Sequence, residues 1–168
     1  MIPLLVAAAV FMAFLVLRTW PVFGDGGGRA ARAAHRAANE RLTRATTDAE
    51  RVEALVAAGD ASAQLVSGGG RAVSYYLRAM KLAPTSAELV NQVARGMAKR
   101  PRGLENILWR RLGAEDWQGD RSVLTAILMH LAGLYSGPLK SSVRARAFSN
   151  LMSTVAAKGR ASTAPPKE

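Results

Sequence analysis

From Val52 to Val155 apolar positions recur three and four residues apart, the period of a helix packed on one side. Val52, Leu55, Val56, Ala63 and Val66 make the first such face, and Thr47 with Glu50 three positions on forms a capping box that starts it. Ser67, Gly68, Gly69 and Gly70 read as a turn. Ala72, Tyr76 and Ala79 share the next face. Lys81 suits the last turn of that helix, where a cation complements the helix dipole, and Pro84 ends it. Ser86 caps a further helix to about Ala98, with Leu89, Val90, Val93, Ala94 and Met97 inward. Residues 99–103 read as a turn. Leu104, Ile107, Leu108 and Leu112 form the return helix, Trp109 covers its side and Gly113 ends it. After a loop over 114–120, another helix carries Leu128, Leu131, Ala132 and Tyr135 and breaks at Gly137 and Pro138. The last helix, over 140–157, is expected to bury Val143, Ala147, Phe148, Leu151 and Val155. No strand-period stretch competes. The pattern predicts an all-α domain of about three helical hairpins over residues 47–158, then a polar, proline-bearing tail over 159–168 that reads as disordered.

The start of the chain is different in kind. Residues 1–17 carry no charge, which reaches the lower limit for a bilayer span, and Trp20 suits the membrane interface. A cleaved signal peptide fits less well, because no Lys or Arg precedes the apolar run. A terminal core helix would not be apolar all round. The expectation is a single membrane anchor over residues 1–20, a glycine-rich link over 21–28 and a basic juxtamembrane helix over 29–46. Arg18, Arg29, Arg32 and Arg36 all follow the span, so the positive-inside rule places the helical domain in the cytoplasm. In a bacterium the anchor would sit in the inner membrane, and the opposite orientation is the second reading. The stripe Arg29, Arg32 and Arg36, with Arg18, is a candidate lipid-facing surface, at about 1 kcal/mol per basic residue beside anionic lipid. An ordinary solvated helix face accounts for it equally well. The apolar run over 123–139 contains His130, Ser136 and Pro138 and is short for a second crossing, so it reads as a core helix.

Composition narrows the chemistry. The 168 residues include no cysteine, which excludes disulfides, thiolate metal sites and cysteine nucleophiles. The formal net charge is +11, and the excess is uneven: residues 61–168 hold sixteen Lys and Arg against six acids. Anionic partners follow from that balance: an acidic protein or peptide, anionic lipid, or nucleic acid. Nucleic acid fits least, because the few aromatics sit at core-like positions and offer no stacking platform. His35 and His130 stand far apart, with no second ligand at helical spacing. Glu115, Asp116 and Asp120 cluster but lack the order of a calcium loop, and capping is the plainer role. No nucleophile has a neighbouring base, and no phosphate loop is present. The chain is therefore expected to be a binding protein and not an enzyme, with no metal and no cofactor.

The spacing A-x3-Y-x2-A-x4-P at Ala72, Tyr76, Ala79 and Pro84 resembles the second helix of a tetratricopeptide (TPR) repeat. Leu55, Gly59 and Ser62 stand where the first helix of that family has its W, G and Y, with one extra residue in the turn and neither aromatic. Leu128, Leu131, Ala132 and Tyr135 repeat the first-helix spacing with substitutions, so the likeness spans about residues 49–157. In TPR proteins the first helices line a groove that takes extended peptide ends. The resemblance implies a short α-solenoid behind the anchor, acting as an adaptor or scaffold. Asn91, Arg95 and Lys99, with Gln92 beside them and His130 from the third hairpin, are then the candidate groove residues for an acidic or C-terminal peptide. A solvated polar face is the plainer alternative.

Overall fold

Capping side chains set where three of the helices begin. The computed structural model describes residues 26–114 and 120–162, which hold seven helices. They are α1 (Gly26–Arg44), α2 (Asp48–Gln64), α3 (Gly69–Leu82), α4 (Ala87–Gly96), α5 (Pro101–Leu112), α6 (Arg121–Ser136) and α7 (Ser142–Ser162). The expected anchor over 1–20, with Arg18, lies outside the described residues, as do Glu115 and Asp116. Among the described residues no helix is long and apolar enough to cross a membrane.

The capping box is present at α2: Glu50 donates its N–H to Thr47 Oγ1 at 3.2 Å, and its carboxylate accepts the Thr47 N–H at 3.2 Å. Ser86 Oγ accepts the Leu89 N–H at 3.1 Å and starts α4. Asp120 starts α6 by accepting the N–H groups of Ser122 at 2.9 Å and Val123 at 3.3 Å. Several boundaries differ from the sequence reading. Pro101 does not lie in a turn but opens α5, where its fixed φ suits a helix and its missing N–H leaves nothing unpaired. Gly26 to Gly28, expected in the link, stand in the first turn of α1. The final helix runs on to Ser162, into the stretch read as tail.

The helices stack in two layers. α2 packs on α4 and α4 on α6, which makes the first layer. In the second, α3 packs on α5. There α1 meets α3 where the His35 and Tyr75 rings lie edge to face, and α7 meets α5 where Trp109 and Phe148 do the same. The backbones run closest between layers where α1 meets α2, α2 meets α3, and α6 meets α7. The middle pair departs from the expected tight hairpin. α4 makes its close backbone contacts with α6, α2 and α3, while α5 makes its own with α3 and α6. Gly69, Arg100, Pro138 and Leu139 line one cavity, so the α2–α3, α4–α5 and α6–α7 turns fall at the same end of the stack.

Tyr76 is the hinge of the packing. Ala72, Tyr76 and Ala79 are fully buried, as their spacing predicts. A Cβ on Gly59 of α2 would stand 2.7 Å from the Tyr76 ring, and a Cβ on Gly96 of α4 would strike its hydroxyl. Both glycines are therefore required by close approach. The Tyr76 hydroxyl donates to Asp60 Oδ1 at 2.5 Å, and burial together with that carboxylate holds the phenol far above its usual range. Pro84 lies just past α3, and its carbonyl accepts from the buried Arg111 guanidinium of α5.

Four apolar positions expected inside are outside. Val66 is 92% exposed, because α2 ends at Gln64 and helical spacing no longer governs it. Val143 is 74% exposed and Leu151 is 50% exposed, and Ala147 is exposed with them. α7 is rotated from the expected face: it turns Ala145, Phe148, Met152 and Val155 toward the core, at steps of three and four.

Candidate functional site

The expected groove residues divide. Asn91 and Arg95 stand one turn apart on α4, and the packing of α6 brings His130 to them. His130 Nε2 and Asn91 Oδ1 are 2.9 Å apart although 39 residues separate them in the chain. Burial pushes the His130 imidazole below its usual pKa, and the nearby Arg95 guanidinium adds to the shift. A neutral ring with Nε2–H donating to Asn91 satisfies that geometry. Arg95 bonds Glu88 at 2.7 Å, and this pairing holds the Glu88 carboxyl below the usual carboxylate range. Both partners are exposed, so the pair is easily broken by a competing anion. Gln92 is exposed on α4, and Lys99 is exposed in the α4–α5 turn, past the end of the helix at Gly96. The face thus offers two cations, two amides and a neutral imidazole, groups able to pair with a carboxylate or a peptide backbone.

The other candidates are placed separately. Arg29, Arg32 and Arg36 are exposed on α1. The opposite side of that helix buries Ala31 and Ala38 against its neighbours, so the helix packs on the folded stack. His35 faces Tyr75 with ring centroids 5.6 Å apart and lies 3.3 Å from the Asn39 amide. Asp120 accepts from the Ser122 hydroxyl and from the capped N–H groups of α6, and these bonds hold its carboxyl below the usual carboxylate range. Among the described residues no group of His and acidic side chains is placed to hold a metal ion.

Two structural devices escaped the sequence reading. Arg100 donates to the carbonyls of Ala63 at 2.8 Å and of Leu65 and Val66, closing the C-terminal end of α2. Around Tyr135, Phe148 stacks on the ring at 5.6 Å, and Trp109 Nε1 donates to the hydroxyl at 3.1 Å. The same hydroxyl donates to Glu105 and accepts from Arg144 at 3.3 Å, so one side chain joins α5, α6 and α7. Neither device has a local spacing, because each links residues from different helices.

A third feature is a groove between α3 and α5. One cavity of about 480 Å³ is lined by Val73, Ser74, Leu77, Arg78 and Lys81 from α3 and by Asn106 and Arg110 from α5. It runs into a second of about 590 Å³ at the turn end of the stack, where Arg102 lies, and the two share Gly70 and Val73. The α3 contribution was visible in the sequence as positions 70, 73, 74, 77, 78 and 81, a single helical stripe. The α5 half needed the fold. No family model, curated protein or solved structure matches the chain.

Proposed function

We propose that the chain is a membrane-anchored, TPR-like adaptor that holds a partner protein at the membrane surface. The observation that carries this reading is the convergence of Asn91, Arg95 and His130 from two helices of one layer. The regular stacking of α2, α4 and α6 supports it, since first helices side by side are what a TPR groove is made of. Arg95 and Lys99 then receive an acidic side chain or a terminal carboxylate, and Asn91 and His130 receive the peptide backbone. The anchor over residues 1–20 raises the local concentration of the adaptor at the bilayer, with the helical domain on the cytoplasmic side. The reading assigns no catalytic step and no cofactor; His35 and His130 each serve a separate packing contact.

A photo-reactive amino acid in place of Gln92, in the full chain in its own cells, tests the groove. A discrete protein adduct is expected, and Arg95→Glu with Lys99→Glu should abolish it. An adduct that survives the double charge reversal unchanged rejects the groove.

A second reading, an electrostatic binder of anionic lipid or nucleic acid, is favoured by the exposed Arg29, Arg32 and Arg36 on α1. Its signature is a steep loss of binding with salt. Affinity that stays flat from low to physiological ionic strength rules it out.

A further inference from the structure

We propose that the groove between α3 and α5 docks an acidic amphipathic helix from a partner protein, independently of the α4–α6 face. Its floor is apolar: Val73 and Leu77 are half-buried and stand one turn apart on α3. Its rim is basic: Arg78 and Lys81 rise from α3, and Arg102 and Arg110 rise from α5, all exposed. Arg102, Asn106 and Arg110 are spaced i, i+4 and i+8, so Arg102 and Arg110 stand on one stripe about 12 Å long.

Among the described residues the charge is uncompensated. α3 contains no acidic residue, and the one acid of α5, Glu105, is occupied by Tyr135 and Arg144. None of the four rim cations makes an ion pair among the described residues. Four like charges beside a half-buried apolar floor favour an occupant that neutralises the rim and covers the floor together. An amphipathic helix with Asp or Glu flanking a Leu stripe at i, i+3 and i+7 does both.

Other anions fit worse. Bases bind by stacking, and among the described residues no aromatic side chain lines the groove. A bilayer surface reaches the rim cations but cannot enter a concave floor. Length also fits: α3 has 14 residues, which gives a trough of about 21 Å, enough for three to four turns of a docked helix.

The test uses the full chain in a neutral detergent and a labelled synthetic peptide of about 14 residues, long enough to fill the trough, with Glu on both sides of a Leu stripe. Fluorescence anisotropy reads binding. Arg78→Glu with Arg110→Glu should weaken it by about tenfold or more. The milder Arg78→Gln should weaken it in the same direction, which covers a folding failure of the double variant. Arg95→Glu with Lys99→Glu should leave it unchanged, separating this groove from the α4–α6 face. A peptide with Ser in place of Leu should also lose affinity. If the Ser peptide binds equally well, charge alone is at work and the proposal fails. It fails too if the Leu peptide does not bind. It fails again if the rim variants abolish binding to oligo-dT, to vesicles of equal phosphatidylcholine and phosphatidylserine, or to a second copy of the chain, and spare the peptide.

Discussion

At Gly59 the packing leaves no room for a methyl group. The Tyr76 ring already stands 2.7 Å from where a Cβ would go. Gly59→Ala should therefore destabilise the domain by about 1–3 kcal/mol, the usual cost of overpacking, despite the better helix propensity of alanine. Urea unfolding followed by circular dichroism measures it, and a neutral or stabilising result would mean that the ring can move aside. Residues of this kind were legible in the sequence because contact and spacing coincide: Ala72, Tyr76 and Ala79 had to share a face, and they do. Arg100 and Arg111 were not legible. Each reaches a backbone carbonyl more than twenty residues away, and nothing in their own neighbourhood announces it.

Single elements are held by different means. Capping residues wrote the starts of α2, α4 and α6 into the sequence, and all three begin where Thr47, Ser86 and Asp120 cap them. The rotation of α7 was harder to read, because alanines and valines surround its whole circumference and two apolar faces compete. Phe148 decides between them. It stacks on Tyr135 and meets Trp109 edge to face at 5.7 Å, so the helix turns to place that ring. Phe148→Ala should cost about 3–5 kcal/mol, in line with loss of a buried ring, and should loosen α7 before the other helices. Amide hydrogen exchange distinguishes this from uniform weakening: early exchange confined to α7 and its contacts is the expected pattern.

For the whole molecule, the sequence carried the helical class and the outer two hairpins, α2 with α3 and α6 with α7, while the open middle pair, the second layer and its groove depended on which helices became neighbours. Orientation in the cell is open to a direct measurement. The chain has no cysteine, so Ser153→Cys, exposed on α7, gives a single probe. Protection from a membrane-impermeant thiol reagent until lysis is the expected outcome. Labelling of intact cells would overturn the charge-based topology and move the partner search outside. One feature of α1 matters at this scale. Its fully buried contacts are two alanines, Ala31 and Ala38, with Leu42 half-buried beside them. Alanines give up little area, so this helix is bound to the rest by far less hydrophobic free energy than α3 or α6. α1 is therefore expected to exchange its amide hydrogens ahead of α3 and α6, and exchange in step with them would show a single cooperative unit. Any ligand that gripped the arginines of α1 would then work against this smaller store of burial, and would peel away nineteen residues before it unsettled the stack behind.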